Sequence, residues 1–161
     1  MRQAGRASVV IILGLLLIDQ LTKLFILENN LELNGLFFIN NQALTIGLLP
    51  TTNAGIAFSM KLPQIITIVA VPALLVLLSI WLYKKIKADN YIYSVLLSVV
   101  IGGSLSNWVD RIYRGGVVDF IGIKVAGINF AILNLADLAI TIGIIIILLI
   151  ETNIIKSHEN I

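Results

Sequence analysis

The chain has 161 residues, of which 58% are hydrophobic and only 12% charged. Soluble domains carry about 45–50% apolar and about 25% charged residues, so this composition excludes an ordinary water-soluble fold and specifies an integral membrane protein of about one domain. A net charge of +2 is too small to point to nucleic acid, and the lack of cysteine excludes disulfides, thiolate nucleophiles and cysteine-held metals.

Hydropathy gives four spans, at about 7–27, 62–83, 91–108 and 133–150, each close to the length a bilayer requires. Lipid offers no partners to free backbone groups, so the spans are predicted to be helices, and the uninterrupted apolar runs exclude an eight-stranded barrel. The expected fold is therefore an all-α membrane protein, with four transmembrane helices and a small extracytoplasmic β-rich segment in a single domain over 1–161. Arg2 and Arg6 before the first span resemble the start of a cleaved signal peptide, but no Ala-x-Ala site follows, and Asp19, Gln20 and Lys23 extend the pattern. Retention of that helix is expected.

Between the first two spans, residues 31–39 alternate and carry aromatics, which predicts short strands. From Gln42 to Ser59 the chain is punctuated by Gly47, Pro50 and Gly55 and reads as an irregular loop on the membrane surface. Pro72 predicts a kink in the second span, with the carbonyl it frees satisfied by a neighbouring helix. Gly102 and Gly103 permit close helix contact, and Gly115 and Gly116 permit a turn.

Arg2, Arg6, Lys84, Lys85, Lys87 and Lys156 fall on one side of the membrane when both termini are cytoplasmic. Lys61, Arg111, Arg114 and Lys124 then lie opposite, so segments 28–61 and 109–132 face outward. His158 reads as a solvated tail residue, not as a metal ligand or base.

Polar residues in and beside the spans collect on that outer side: Asp19, Gln20 and Lys23; Asn53 and Gly55; Asn107, Asp110 and Arg111; Asp119, Asn134 and Asp137. One site at the outer interface accounts for them together. The spacing of three in Asn107/Asp110 and in Asn134/Asp137 places each pair on one helical face. Charges at the edge of apolar runs are expensive, so Asp119 and Asp137 are candidates for catalysis, the alternative being a structural hydrogen-bond network. Two carboxylates brought together hold one proton between them, which provides both a general base for water and a general acid for the scissile carbonyl. Asp110 and Arg111 read as an ion pair, and Lys23 either pairs with Asp19 or snorkels toward the headgroups. Intramembrane aspartates also serve proton-coupled transporters, but these have repeated halves and carboxylates toward the midplane, whereas here the acids share one depth and no repeat is apparent.

Four motifs resemble the prokaryotic lipoprotein signal peptidases, or signal peptidase II: Asp19-Gln20-Leu21-Thr22-Lys23; Asn53-Ala54-Gly55-Ile56-Ala57-Phe58; Gly102-Gly103 through Asn107-Trp108-Val109-Asp110-Arg111 to Gly116-Val117-Val118-Asp119-Phe120; and Asn134-Leu135-Ala136-Asp137. The resemblance covers nearly the whole chain. It implies an aspartic endopeptidase of the bacterial cytoplasmic (inner) membrane, which cleaves diacylglyceryl-modified prolipoproteins on the amino side of the lipidated cysteine. Asp119 and Asp137 would be the catalytic pair, and Asn107, Arg111 and Asn134 would order the pair and the substrate backbone. Asp110 would support that geometry, Asn53 and Gly55 would belong to a closing loop, and Asp19 and Lys23 would shape the pocket. The implied partners are the lipid-modified precursor and membrane phospholipids, with no metal or organic cofactor and a monomeric enzyme.

The chain departs from the family pattern at Ser106, where glycine is usual, at Ala131 and Leu133, where proline and phenylalanine are usual, and at Ser59 in place of a common glycine. The run Thr45 to Thr52 also lacks the basic residue often found there. These departures are expected to alter the substrate entrance and its closing loop.

Overall fold

The computed structural model describes residues 1–29, 37–53 and 64–152. Gly55, Ser59, Lys61, Lys156 and His158 lie outside the described residues, as do residues 31–36 of the predicted strand region. Four helices, α1 (Arg2–Glu28), α2 (Gln64–Lys87), α3 (Tyr91–Tyr113) and α4 (Leu135–Glu151), are joined by strands β1 (Phe37–Asn40), β2 (Leu44–Asn53), β3 (Val117–Val125) and β4 (Ile128–Leu133).

Among the described residues, three helices are long and apolar enough to cross a membrane: Arg2–Glu28, Ile68–Lys87 and Tyr91–Tyr113. The fourth, α4, has 17 residues and an almost purely aliphatic sequence. The helices overrun the predicted spans, α1 starting at Arg2 instead of 7 and α3 ending at Tyr113 instead of 108. Hydropathy locates only the hydrocarbon-facing part of a helix, whereas the polar ends continue the same hydrogen-bond ladder into the headgroup layer. Residues 109–113, assigned from sequence to the outer segment, are therefore helix.

Helix α3 is the hub and packs against α1, α2 and α4. Its closest approaches are made where glycine removes a side chain. A methyl group on Gly102 would stand 3.1 Å from the Ile12 carbonyl oxygen of α1, and one on Gly103 would stand 2.8 Å from the Ala136 carbonyl oxygen of α4. Leu82, Tyr93, Leu97, Val100, Ile101 and Ile147 form the apolar core of the bundle, with Ile12 and Ile140 packed against it. Asn90 caps α3 by accepting from the Tyr93 amide at 3.0 Å. Pro72 lies within α2, where its missing N–H frees the carbonyl of Ile68, four residues earlier. The Trp108 indole of α3 donates to that oxygen at 3.1 Å.

The strands form one antiparallel sheet in the order β1-β2-β3-β4. It is larger than the sequence indicated. Residues 44–53, expected to be irregular, form its longest strand, and the 109–132 segment contributes two more. Pro50 sits where the β2/β3 register shifts between Leu48 and Thr51, a bulge that tolerates a residue without an N–H. Beyond the bulge Thr51 pairs with Asp119 and Asn53 with Val117, so β2 carries Asn53 toward the start of β3. Ala126 and Gly127, with φ of 48° and 78°, make the two-residue turn from β3 to β4. Gly116 lies against β2, where a methyl group would meet the Asn53 carbonyl oxygen at 3.0 Å.

Candidate active site at the junction of bundle and sheet

Residue Asn134 begins α4, and its side chain decides the local structure. Its Oδ1 accepts from the Asp137 amide at 2.8 Å, while the Asn134 amide donates to Asp137 Oδ2 at 3.3 Å. This reciprocal pair is a capping box. The spacing of three, read from sequence as a shared helical face, is thus the signature of a helix start, with Asn134 just outside the helix and Asp137 in its first turn.

The same asparagine reaches the other aspartate. Fully buried Asn134 donates through Nδ2 to Asp119 Oδ1 at 2.8 Å, with further approaches to Asn107 Oδ1 at 3.1 Å and the Val118 carbonyl at 3.3 Å. One residue therefore binds Asp119 with its side chain and Asp137 with its backbone. Asp119 Oδ2 also accepts from Asn53 Nδ2 at 3.3 Å, and Asp137 Oδ1 accepts from Asn107 Nδ2 at 2.7 Å. Asp119 is buried on β3, and Asp137 is half-buried.

A second polar layer supports the first. Lys23 is fully buried, with Nζ 2.6 Å from Asp19 Oδ2, 2.7 Å from Asp110 Oδ2 and 3.0 Å from Asn107 Oδ1. Of the two expectations for Lys23, pairing is realised and snorkelling is not. Asp110 pairs with Lys23 and Arg114, correcting the expected partnership with Arg111. Helix geometry supplies the reason: Arg114 lies one turn after Asp110 on the same face, whereas adjacent residues diverge by about 100°. Arg111 instead donates to the Asn107 carbonyl at 3.1 Å and lies within electrostatic reach of Asp137 and Asp119. Asp110 Oδ2 also accepts from the Val118 amide at 3.2 Å, which pins the strand beside Asp119.

Two members of this layer, Arg114 and Ser106, were not among the residues grouped into the site from sequence, and Gln20, grouped there by position alone, acquires definite partners. Gln20 donates to Asp110 Oδ1 at 2.9 Å and accepts from Arg114 at 2.8 Å. Arg114 was legible in principle from its i,i+4 relation to Asp110. Ser106, expected to affect the substrate entrance, is instead fully buried and donates to Asp19 Oδ2 at 2.6 Å.

Charge accounting divides the cluster in two. Asp19 and Asp110 balance Lys23 and Arg114, two against two. Asp119, Asp137 and Arg111 remain, and this set is neutral when the two carboxylates share one proton. Burial pushes the Asp119 carboxyl up to about 6, and the nearby Asp137 charge adds to the shift. Hydrogen bonds from Asn53 and Asn134 and the positive charge of Lys23 oppose it. Among the described residues no group of three or more potential ligands could hold a metal ion.

Fold and site together define a helical membrane protein with a buried acidic centre where bundle meets sheet. A family model described as Signal peptidase (SPase) II matches residues 11–153, and the chain belongs to that family. A lipoprotein signal peptidase of Streptococcus pneumoniae is 34% identical over 145 residues, covering 89% of this chain and 92% of the relative. One of Anaplasma phagocytophilum is 30% identical over 152 residues, covering 89% and 90%. A solved bacterial membrane enzyme structure, obtained by the in meso method, superposes with a TM-score of 0.74 at 28% identity, covering 96% of this chain and 93% of that one. The chain is accordingly a peptidase of the kind that cleaves prolipoprotein signal peptides, and a membrane protein of a bacterial family.

Proposed function

We propose that this protein is an intramembrane aspartic endopeptidase that cleaves the signal peptide from diacylglyceryl-modified prolipoproteins on the amino side of the lipidated cysteine. The observation that carries the reading is the single asparagine, Asn134, binding both Asp119 and Asp137. In the working state the pair holds one proton. The ionised carboxylate takes a proton from water as the oxygen attacks the scissile carbonyl, and the protonated one donates toward the carbonyl oxygen. The proton gained from water then passes to the departing amine, and as the C–N bond breaks a hydroxyl of the tetrahedral intermediate returns its proton, so that the pair again holds one. Because the two groups interact, the titration belongs to the pair.

Asn107 and Asn134 hold the carboxylates at fixed orientations, which supports chemistry from a preorganised ground state. Arg111 offsets the remaining negative charge. Asn53, at the end of β2, links the pair to the segment containing Gly55 that would close over substrate.

Both substrate parts suit a lipid-embedded enzyme. A signal peptide is itself an apolar membrane segment, and each methylene of an acyl chain contributes about 0.8 kcal/mol on burial, so the precursor arrives by lateral diffusion. In this reading α4 is a fourth span, the termini face the cytoplasm, the dyad lies near the outer face of the inner membrane, and the enzyme works as a monomer among phospholipids without a cofactor.

Purified protein incubated with a diacylglyceryl-modified precursor in lipid or detergent tests the proposal, with product masses as the readout. Cleavage immediately before the lipidated cysteine is expected. It should be lost in Asp119→Asn and in Asp137→Asn while both variants remain folded in membranes. Binding of precursor without cleavage by the parent protein would reduce it to a noncatalytic relative.

A further inference from the structure

The proton-transfer scheme makes no use of Ser106, yet this side chain commits both its hydrogen-bonding capacities to the buried cluster. Its hydroxyl accepts from Gln20 Nε2 at 3.0 Å and donates to Asp19 Oδ2 at 2.6 Å. The same Gln20 amide also reaches the Ser106 carbonyl at 3.2 Å and Asp110 at 2.9 Å, so the glutamine is held in place and directs the serine proton toward Asp19.

What Asp19 does with its other oxygen gives the arrangement its consequence. Asp19 Oδ1 accepts from the Ala136 amide at 3.0 Å. That amide is one of the first-turn N–H groups of α4 that have no partner within the helix. Asn134 satisfies the next one, at Asp137. The start of α4 is therefore capped twice, once from its own chain and once from α1, and the second cap bonds the residue immediately before Asp137. Lys23 also contacts Asp19 Oδ2, at 2.6 Å. An ammonium is a compact point charge on a flexible stem and attracts a carboxylate in many orientations, whereas a hydroxyl bond is directional. Lys23 supplies the attraction and Ser106 the direction.

We propose that Ser106 is a positioning residue for the reaction: its hydroxyl fixes the Asp19 carboxylate so that it caps α4, which holds Asp137 in register with Asp119. The inference rests on the reading of Asp119 and Asp137 as the reacting pair. Asp19, Ser106 and Ala136 are all buried, so water cannot replace a lost bond without entering the helix junction.

The test uses the full-length protein and lipid-modified precursor. Ser106→Ala should lower kcat about 10- to 100-fold, as expected for a small misplacement of a reacting group, with KM unchanged within about twofold. Ser106→Cys keeps a side chain of similar shape with a weaker donor and should be intermediate. In the Asp19→Asn background the serine change should have no further effect on kcat, because the residue acts through Asp19. Equal loss of kcat in both backgrounds, or full kcat in Ser106→Ala, would overturn the inference. So would a rate loss that only tracks the amount of folded protein recovered. A normal Ser106→Ala beside an inactive Asp137→Asn would reject this inference alone, whereas normal turnover by Asp137→Asn would reject the reacting pair itself.

Discussion

Replacing Lys23 by methionine removes one charge from the centre of the buried cluster while nearly preserving side-chain length. The ammonium lies 2.6 Å from Asp19 and 2.7 Å from Asp110, and all three side chains are fully buried. Without it, two carboxylates face only Arg114, and the balanced set carries one uncompensated negative charge. Removing one partner of a buried ion pair costs about 3–5 kcal/mol, chiefly because the remaining charge has no counterion and no water. Asn107 Oδ1 also loses its charged donor at 3.0 Å and keeps only Asn134 Nδ2 at 3.1 Å, which weakens the hold on the amide that binds Asp137. Denaturant unfolding in detergent, followed by tryptophan fluorescence, should register a loss of this size. A combined Lys23→Met and Asp110→Asn variant, neutral again through Asp19 and Arg114, should recover about 1–2 kcal/mol of it. A Lys23→Met protein within about 1 kcal/mol of the parent would refute the claim that this lysine neutralises a desolvated cluster.

The pH dependence follows from Asp119. Its raised value means that the folded enzyme holds a proton which an unfolded chain releases nearer 3.8, so between those values folding favours the protonated form and stability falls as pH rises toward 6. On the proposed mechanism the shared proton is lost through the same window, so kcat/KM, which reports the free enzyme, should decline as pH rises through about 6. The corresponding limb of kcat should lie at higher pH, because bound substrate removes water from the carboxyl. Trp108→Phe should cost about 1–2 kcal/mol in the unfolding assay, since the Ile68 carbonyl freed by Pro72 is left without its indole donor. Adding Pro72→Ala should return part of that loss by restoring a backbone donor. Gly103→Ala should destabilise by about 1–3 kcal/mol and depress cleavage, because the added methyl would sit 2.8 Å from the Ala136 carbonyl, next to Asp137.

Sequence alone located the helices and the polar cluster well, for a physical reason. Apolar runs declare a membrane helix almost regardless of partners, and a charge beside such a run is conspicuous. The helix ends were less legible, since polar turns at the headgroup layer carry little hydropathic signal. The sheet was hardest to read. Residues 44–53 look irregular because Gly47 and Pro50 punctuate them, yet pairing with β3 accommodates Pro50 at a bulge. Strand pairing depends on a partner some 70 residues away, and a strand that covers a site on one side and meets lipid or water on the other need not alternate cleanly.

Within the site, Asp119, Asp137, Asn107, Asn134, Asp110, Asp19 and Lys23 converge on one connected network, and Asn53 joins it through Asp119. Arg111 stands beside the network with a different partner from the one expected. The i,i+4 spacing of Asp110 and Arg114 encodes the ion pair that forms, whereas adjacency in sequence puts Arg111 on a different face of the helix. Ser106 was conspicuous as a departure, while its role depended on a contact between α1 and α3 that no local pattern encodes.

The central claim is that Asp119 and Asp137 behave as one proton-holding unit. A pH titration of the carboxyl protons by infrared difference spectroscopy, comparing the parent with Asp137→Asn, tests it most directly. The expected result is a proton released near pH 6 in the parent and, once the neighbouring charge is gone, release of the Asp119 proton at lower pH, with burial still holding it above the ordinary carboxylate value. An Asp119 titration that is unchanged by removal of Asp137, together with undiminished cleavage by that variant, would contradict it.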